Sequence, residues 1–508
     1  MDSGCVYLVG AGPGDPGLLT LRGQALLKRA DVVVYDRLID ERLLEHARPE
    51  ARRIYVGKQA GKKCAGQKDI NQMLISFAQA RRQVVRLKGG DPCVFGRASQ
   101  EAIALAVAGV RFEIVPGITA GLAAATYAGI PATDRELSSA VALVTAQEDP
   151  DKGPSNLDYR ILAGWKGTLI FYMGVAALAR TCRQLVENGM AGQTPAAVVQ
   201  QATTGLQRGV EGTLDNIAQR AEHAKIEPPA VLIIGPTVKL REQLSWFERR
   251  PLFGRRIVNT RPLAQAGELS ELLEELGAQV IHAPAICIAP PKRLSPIRQT
   301  VRQLEQYDWI IFTSVNGVDG LFKYLHEAGR DSRALGHCRI CAIGPATAAR
   351  LGQHGIVPDA QPGEFLSSAI VDLLASQSQL QGKRVLCPRP EHAPPDLIRG
   401  LQKEGATVEE VVAYRTVTDN ARSHALRQAL ADKGVDWITF TSPSTARSLS
   451  RGVEPELIRR SGARLASIGP TTSAALRALG LEAAAEAKAH SARGLVDAIL
   501  EAEGAGKA

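Results

Sequence analysis

An internal repeat in the second half of the chain constrains its fold more than any other feature. The segment WIIFTSVNGV, which begins at Trp309, returns as WITFTSPSTA at Trp437. Likewise RICAIGPATAARLGQHGI, which begins at Arg339, returns as RLASIGPTTSAALRALGL at Arg464. Repetition on this scale is typical of a duplicated supersecondary unit. We therefore expect two similar α/β lobes in this half, with a cleft between them that suits a ligand.

Strand-like and helix-like segments also alternate along the first half. Short runs rich in valine and isoleucine, such as VYLVG, DVVVYD, AVALVTA and AVLIIG, are separated by amphipathic stretches such as TLRGQALLKRA. This alternation predicts an α/β architecture with largely parallel sheets. It breaks in REQLSWFERRPLFGRR, which begins at Arg241 and is rich in charge. The sequence therefore indicates two domains, 1–246 and 252–508, joined by a linker over 247–251.

The composition is that of a basic globular protein. Of the 508 residues, 45% are hydrophobic and 22% are charged. The net charge of +9 favours acidic partners, either a nucleic acid or a polyanionic small molecule, although a merely soluble basic surface has the same charge. Aromatic residues make up only 5%, and Lys and Arg form no long run. Both observations argue against nucleic acid as the partner.

The eight cysteines are scattered, and only Cys338 and Cys341 form a CxxC pair. This pair lies in CRICAIG, which is typical of a buried strand, so we expect a core role rather than zinc or redox chemistry. The sequence shows neither a signal peptide nor an apolar run long enough to cross a bilayer. We therefore expect a cytoplasmic protein with reduced thiols and no membrane partner.

A glycine-rich loop, VYLVGAGPGDPGLLT, lies near the N-terminus and is followed some twenty residues later by Asp36. A strand, a glycine loop and a distant acid outline a dinucleotide site. However, Pro13 and Pro16 interrupt the loop, and neither has the amide hydrogen that a pyrophosphate needs. A rigid loop that packs against a flat or apolar ligand is therefore favoured over a nicotinamide site.

Other Gly/Pro turns follow strand-like runs in RLKGGDPCVFGR, VPGITAG and GIPATDRE. Ligands of α/β sheets bind beyond the carboxyl ends of the strands, where such turns lie. Each turn could be a tight connection and nothing more. Because there are several and their side chains are small, they favour a ligand that approaches the backbone.

These segments, with ADVVVYDRL, GTLIFYMG and PPAVLIIG, resemble the tetrapyrrole methylases, and within them uroporphyrinogen-III C-methyltransferase. The resemblance spans nearly the whole first half, in order. It implies a two-lobed methylase fold, S-adenosylmethionine as the methyl donor, and a homodimer formed through this half. It also implies two successive C-methylations that give precorrin-2, on the sirohaem or cobalamin branch.

The resemblance assigns roles to particular residues. Asp36 would be the catalytic base, with a helix N-cap or an ion pair as the alternative. Lys58 would be a proton donor, or would grip a substrate carboxylate. The implied cofactor contacts are Pro13, Gly89, Gly90, Asp91, Val94, Thr119, Ala120, Met173 and Ala202. Asp91 could instead cap a turn, and Met173 could be plain core.

The chain departs from the family pattern at a few places. Asp134 stands where the family usually has a histidine, and Thr145-Ala146-Gln147 stands where it usually has TGH. KKCAGQ after Lys58 and GRASQE, which begins at Gly96, are also unusual. These positions lie on the presumed tetrapyrrole side of the cleft, and they leave the cofactor motifs intact.

The second half resembles uroporphyrinogen-III synthase in WIIFTSVNGV, AIGPATA, VVAYRT, WITFTSPSTA and SIGPTTSAAL. The resemblance implies an α/β fold of two lobes, about 252–286 plus 417–508 and about 290–413, joined by two crossing strands. It implies closure of hydroxymethylbilane without a cofactor. Tyr414 would be the acid that assists loss of hydroxide, since a phenol is protonated at pH 7; it could equally be a packed tyrosine with one hydrogen bond.

Thr-Ser pairs follow two strands of this half, at Thr313-Ser314 and Thr441-Ser442. Hydroxyls at helix starts bind anions, and they also simply cap helices. Facing each other across a cleft, such pairs would suit a ligand with many carboxylates.

The sequence therefore predicts a bifunctional enzyme that converts hydroxymethylbilane to uroporphyrinogen III and then to precorrin-2. The net positive charge fits substrates that are polycarboxylate tetrapyrroles. One alternative is an active methylase joined to a non-catalytic, synthase-like binding module, and another is a nucleic-acid binder. The sequence shows no third unit with the fingerprint of a dehydrogenase. We therefore expect the reaction to stop at precorrin-2.

Overall fold

The structure is a computed structural model that describes residues 4–57, 66–147, 156–261, 266–283, 287–364, 366–377, 380–417 and 420–504. The chain divides into two compact units. The first unit comprises Met1–Ile257, Glu271–Val280 and Glu503–Ala508, and the second comprises Val258–Ser270 and Ile281–Ala502.

The first sheet of the first unit is parallel throughout. Its strands are β1 (Cys5–Gly10), β2 (Val32–Tyr35), β3 (Arg52–Tyr55), β4 (Gln83–Lys88) and β5 (Arg111–Val115), in the order β3-β2-β4-β1-β5. The associated helices are α1 (Leu21–Arg29), α2 (Gln67–Gln79) and α3 (Ala98–Val107). The next helix, α4 (Ala120–Tyr127), packs against the second sheet of this unit. Neighbouring residues of β4 enter separate cores, Val84 with Leu74 on one face and Val85 with Leu27 on the other. This is the helix-covered parallel sheet that the sequence predicts.

The second sheet of this unit is mixed. Its strands are β6 (Val141–Thr145), β7 (Thr168–Tyr172), β8 (Pro195–Gln200), β9 (Arg208–Thr213) and β10 (Ala230–Ile234), in the order β6-β7-β10-β8-β9, and its helices are α5 (Tyr159–Ala163), α6 (Leu178–Glu187), α7 (Ile217–His223) and α8 (Arg241–Leu244). β6 and β7 are parallel, whereas β10 is antiparallel to β7 and β8, and β9 is antiparallel to β8. The expectation of a largely parallel sheet is therefore wrong here. The connection 201–207 reverses the chain without the long crossover that a parallel pair needs.

The charged segment after α8 packs on the first unit. The ring of Phe247 is buried, and its centroid lies 4.8 Å from that of Tyr127. The guanidinium of buried Arg241 donates hydrogen bonds to Glu211 and Glu248. Residues that resemble a linker in sequence therefore contribute to the packing of this unit.

Ten further strands form two five-stranded sheets. They are β11 (Arg256–Asn259), β12 (Gln279–His282), β13 (Cys287–Ala289), β14 (Trp309–Phe312), β15 (Arg339–Ala342), β16 (Arg384–Pro390), β17 (Thr407–Val417), β18 (Trp437–Phe440), β19 (Arg464–Ser467) and β20 (Ala485–Glu486). The strand orders are β12-β11-β18-β19-β20 and β13-β17-β16-β14-β15. β13 pairs antiparallel with β17, Cys287 opposite Val417.

The helices that accompany these two sheets complete the described fold. They are α9 (Gly267–Glu275), α10 (Ser295–Thr300), α11 (Val315–Glu327), α12 (Pro345–Gly352), α13 (Ser367–Gln377), α14 (Asp396–Lys403), α15 (Asn420–Ala431), α16 (Pro443–Gly452), α17 (Pro455–Ser461), α18 (Pro470–Arg477) and α19 (Ala492–Glu503).

The sequence repeat is a structural repeat. Ser314 precedes α11 with φ −166° and ψ 156°, and Ser442 precedes α16 with φ −167° and ψ 158°. Each serine hydroxyl accepts a hydrogen bond from the amide three residues later, that of Gly317 or Thr445. The two Thr-Ser pairs are therefore equivalent helix starts, and helix capping is the role that the structure shows for both serines.

The CxxC pair lies in the core, as the sequence predicts. Cys338 and Cys341 are buried and belong to two different hydrophobic clusters. Burial raises the pKa of Cys341 to about 12, so this thiol stays protonated at neutral pH. Across the described ranges, no helix is long and apolar enough to span a membrane.

Candidate active site

Three glycines bring the carboxyl ends of β1, β4 and β5 into contact. A Cβ atom on Gly10 would lie 2.6 Å from the Cα of Gly117, and one on Gly117 would lie 2.4 Å from the carbonyl oxygen of Gly90. Side chains at these positions would force the backbones apart. The amide of Gly90, at φ +68°, donates a 2.7 Å hydrogen bond to the carbonyl of Gly12. The loop that carries Pro13 is thereby fixed against the end of β4.

Asp91 joins the loops that follow β4 and β5. Its Oδ1 accepts the amide of Cys93 at 2.7 Å, and its Oδ2 accepts the amide of Gly117 at 3.0 Å. The capping role considered from the sequence is therefore present. Each carboxylate oxygen keeps a further lone pair, so a ligand can also donate to Asp91.

Tyr172 connects the start of α4 to the end of β7. Its hydroxyl lies 2.8 Å from Oγ1 of Thr119 and accepts the amide of Gly121 at 2.8 Å. Burial raises the pKa of Tyr172, an effect opposed by these two hydrogen bonds. The phenol therefore keeps its proton at neutral pH and holds Thr119 in place. Tyr172 is not among the residues predicted from the sequence, although its position directly before Met173 signals its place beside the site.

The predicted cofactor residues come soon after the ends of five strands of the first unit. Val94, Ala120 and Ala202 pack against one hydrophobic cluster that includes Tyr172. Met173 is 51% exposed at φ +54°, so the alternative that it is plain core is wrong. The exposed ring of Phe95 lies 4.9 Å from that of Tyr172. An apolar surface therefore adjoins the polar groups of Asp91 and Thr119.

Asp36 lies directly after β2, and its carboxylate is paired. Both oxygens are 2.8 Å from Nη2 of Arg86, a residue in the middle of β4. The ion pair considered as an alternative from the sequence is therefore present. Gly89 connects this region to the glycine cluster, since a Cβ there would lie 3.1 Å from the Cβ of Leu38.

A buried charge network supports this ion pair. Arg86 is 3% exposed, and its Nε lies 3.2 Å from Oε1 of Glu101, which is fully buried. Lys88 donates to Oε2 of the same glutamate at 2.8 Å. Burial and the adjacent Arg86 lower the pKa of Lys88, whereas Glu101 opposes them. With Asp36, the network holds two acids and two bases, as buried charges require. The signal for this network in the sequence is the presence of two basic residues, Arg86 and Lys88, inside the otherwise apolar run VVRLK.

The other methylase positions from the sequence analysis are less informative. Lys58 and residues 62–65 of the KKCAGQ segment lie outside the described residues. Asp134 caps a turn, because its Oδ1 accepts the amides of Glu136 and Leu137, each at 2.9 Å. Gln147 is exposed and lies two residues after β6.

Tyr414 lies on β17 in the second unit and is buried. Its hydroxyl is 3.1 Å from Oγ of Ser314, the residue that caps α11. Burial raises the pKa of Tyr414, so the phenol is a hydrogen-bond donor at neutral pH. Arg389, also buried, lies on the neighbouring strand β16. Tyr414 is therefore a packed tyrosine with a hydrogen-bonded hydroxyl, which was the alternative considered from the sequence. Its phenol is still protonated and can donate a proton.

No group of three His, Cys, Asp or Glu side chains that could hold a metal ion occurs among the described residues.

Family comparisons match both halves of the chain. Residues 5–218 match the family of Tetrapyrrole (Corrin/Porphyrin) Methylases, and residues 267–497 match Uroporphyrinogen-III synthase HemD. The chain is 35% identical to a porphyrin biosynthesis protein HemD of Ruminiclostridium josui, over 88% of each protein. It is 36% identical to a uroporphyrinogen-III C-methyltransferase of Bacillus subtilis (strain 168), over 89% of this chain and 88% of that protein.

Solved structures resemble single halves. The crystal structure of a uroporphyrin III C-methyl transferase from Thermus thermophilus is 40% identical and covers 46% of this chain and 99% of its own, with a TM-score of 0.41.

Proposed function

Since the chain belongs to the family of proteins that join a uroporphyrinogen-III C-methyltransferase to a uroporphyrinogen-III synthase, we propose that it catalyses two successive conversions. The second half closes hydroxymethylbilane to uroporphyrinogen III, and the first half methylates that macrocycle twice to precorrin-2. Precorrin-2 is the branch compound toward sirohaem and cobalamin. The observation that carries the proposal for the first half is the meeting of the loops of Gly12, Gly90 and Gly117 beside Asp91 and Thr119.

The residues at these loops fit S-adenosylmethionine, the methyl donor of the methylase family. The exposed apolar surfaces of Met173 and Phe95 suit a flat adenine ring. Asp91 keeps lone pairs for ribose hydroxyls or an ammonium group. When bound, the cofactor supplies an electrophilic methyl group on a sulfonium. We propose that Pro13, Gly89, Gly90, Asp91, Val94, Thr119, Ala120, Met173 and Ala202 hold it.

Asp36 is proposed as the base of the methylase. After methyl transfer, a proton must leave the ring system, and a positioned carboxylate accepts it. Arg86 fixes both oxygens of Asp36, which orients the carboxylate before the substrate arrives. Lys58 remains a proposed proton donor or carboxylate ligand.

Tyr414 is proposed as the acid of the synthase. Hydroxide leaves the hydroxymethyl carbon more readily when a neighbouring group donates a proton to it. Burial keeps the Tyr414 phenol protonated, and Ser314 orients its hydroxyl.

We further propose a homodimer formed through the first unit. β5 is an edge strand of the parallel sheet, and large apolar side chains near it are exposed. They are Ile103, Val107, Phe112, Ile114, Ile118 and Leu122. A second copy of the chain would cover them. The domain limits 1–246 and 252–508, with the synthase lobes given above, and a cytoplasmic location remain predictions.

The methylase proposal is tested by supplying uroporphyrinogen III and S-adenosylmethionine under anaerobic conditions. Release of two equivalents of S-adenosylhomocysteine per macrocycle supports it. Release of none, from folded protein, contradicts it.

A further inference from the structure

The loop after β1 is held by hydrogen bonds from α4 and from the connection between β8 and β9. The amide of Asp15 donates to Oγ1 of Thr203 at 3.0 Å. The hydroxyl of Tyr127, at the end of α4, donates to Oδ2 of Asp15 at 2.9 Å, while Oδ1 accepts the amide of Gly17 at 2.8 Å. The backbone of Asp15 and both its carboxylate oxygens are therefore engaged.

Thr203 adopts a backbone conformation that its side chain disfavours. It lies between β8 and β9, is 4% exposed and has φ +71°. A β-branched residue in the left-handed region is a genuine outlier, and such residues persist only where their surroundings impose the conformation. A glycine would occupy this position at lower cost, but it would lack the hydroxyl that Asp15 uses. The hydroxyl is therefore the feature of Thr203 that a less strained residue could not supply.

A second layer of contacts holds Thr203 in this conformation. Its amide donates to Oε1 of buried Gln207 at 3.1 Å. Nε2 of Gln207 donates to the carbonyl of Tyr127 at 3.2 Å and to Oε1 of Glu248 at 2.8 Å. Glu248 also accepts Nη2 of Arg241 at 2.7 Å. The strained residue is thus supported from the segment that leaves the first unit.

The position of Thr203 determines how closely two cofactor loops approach. Gly14 has φ +151°, and a Cβ there would lie 3.0 Å from Oγ1 of Thr203 and 3.4 Å from the carbonyl of Ala202. Pro13 directly precedes Gly14, and Ala202 directly precedes Thr203. Two proposed cofactor residues from opposite sheets are therefore held together at the hydroxyl of Thr203.

We propose that Thr203 is a positioning residue of the methylase, whose hydroxyl holds the Pro13 loop against the Ala202 loop and so preforms the S-adenosylmethionine site. The proposal rests on the function proposed for the first unit. Thr203 acts through these two loops and needs no contact with the reacting atoms.

The test compares Thr203→Val, which keeps the branched shape but removes the acceptor, with Thr203→Ser, which keeps the hydroxyl. Both are made in the full chain, with Thr126→Val, on the exposed face of α4, as the matched control. Binding of S-adenosylhomocysteine is measured by calorimetry, and methylation is measured with each substrate varied in turn.

Thr203→Val is expected to raise the Kd for S-adenosylhomocysteine and the KM for S-adenosylmethionine by about tenfold, the equivalent of one hydrogen bond. The kcat and the KM for uroporphyrinogen III should change by less than about twofold, because the macrocycle side is untouched. Thr203→Ser should stay near the wild type. Tyr127→Phe, which removes the other donor to Asp15 without altering the strained residue, should weaken cofactor binding in the same direction.

Wild-type affinity in both Thr203→Val and Tyr127→Phe would overturn the proposal, and so would equal losses in Thr203→Val and Thr203→Ser. If Thr203→Val does not fold, the affinity of Tyr127→Phe for S-adenosylhomocysteine tests the proposal, and wild-type affinity in that variant overturns it. A wild-type chain that is folded but binds no S-adenosylhomocysteine would instead contradict the proposed function of the first unit.

Discussion

The carboxylate of Asp36 and the guanidinium of Arg86 form an ion pair in which both carboxylate oxygens lie 2.8 Å from one nitrogen. Asp36 follows β2 and Arg86 lies within β4, so the pair depends on these strands being neighbours in the sheet. Arg86 is buried, whereas the Asp36 side chain is 32% exposed. The carboxylate of Asp36 is therefore partly accessible to solvent, whereas the guanidinium of Arg86 is held in the core.

Replacing Asp36 should remove the proposed base without disturbing cofactor binding. We expect Asp36→Asn to lower kcat for methylation by about 100-fold or more, while the Kd for S-adenosylhomocysteine stays within about twofold of the wild type, because Asn keeps the side-chain shape. Steady-state kinetics and calorimetry measure the two effects, with exposed Glu41→Gln as the control. An Asp36→Asn enzyme with wild-type kcat would show that Asp36 serves only in the ion pair.

Glu101 should be essential for the stability of the first unit. Glu101→Gln leaves Arg86 and Lys88 with one negative partner fewer in the core, and breaking a buried pair costs about 3–5 kcal/mol. We expect a lower denaturation midpoint for methylation activity, whereas type III ring formation by the second half is retained. Exposed Glu222→Gln should behave as the wild type. An unchanged denaturation midpoint in Glu101→Gln would contradict a stabilising role for this charge network.

Cys93 should report occupancy of the methylase site. It is exposed and lies two residues after Asp91, whereas Cys387 and Cys341 are buried, which raises the pKa of each to about 12. At pH 8 we expect iodoacetamide to modify Cys93 far faster than these two buried thiols, since the thiolate is the reactive form. Saturating S-adenosylhomocysteine should slow the modification of Cys93. Peptide mass spectrometry measures both rates, and a Cys93 rate unaffected by the ligand would argue against the proposed position of the site.

Tyr414→Phe should affect only the synthase. The variant keeps the packing of the ring but removes the proton that the phenol donates, so we expect ring closure to slow by about 100-fold. The type I product, which forms spontaneously, should then accumulate. Chromatography that separates the type I and type III isomers measures it. Methylation of supplied uroporphyrinogen III should be unchanged. The control is Tyr324→Phe, a buried tyrosine of α11. Wild-type rates in Tyr414→Phe would remove this residue from the mechanism.

The exposed apolar surface around β5 should mediate dimerisation. Light scattering of the full chain should give twice the chain mass. Val107→Glu should shift the mass toward that of a monomer, because a buried unpaired charge disfavours association. Val357→Glu, at an equally exposed valine of the second unit, should not. A monomeric wild type, or a dimer insensitive to Val107→Glu, would contradict the proposed interface.

The sequence predicts those parts of the fold that depend on local pattern. Gly10, Gly90 and Gly117 are recognisable because close backbone approach demands glycine. The internal repeat is also recognisable, because it is a pattern of local sequence. In the structure the repeat extends further than the matching sequence segments, since Ala485 pairs with β19 much as Ala360 forms a bridge to Cys341 of β15.

Contacts that depend on strand order could not be predicted in the same way. The pairing of Asp36 with Arg86 requires β2 beside β4, and the antiparallel position of β10 requires knowledge of the whole sheet. The strain at Thr203 arises from tertiary contacts with Asp15 and Gln207, so threonine there gives no local signal. The burial of Phe247 likewise depends on Tyr127, far away in the sequence.

The most direct test of the account is to give the purified full chain hydroxymethylbilane and S-adenosylmethionine together, anaerobically, and to identify the products by mass spectrometry and isomer analysis. We expect a doubly methylated type III macrocycle. Unmethylated type III product would contradict the function proposed for the first half. The spontaneous type I ring alone, methylated or not, would show that the second half is not a working synthase.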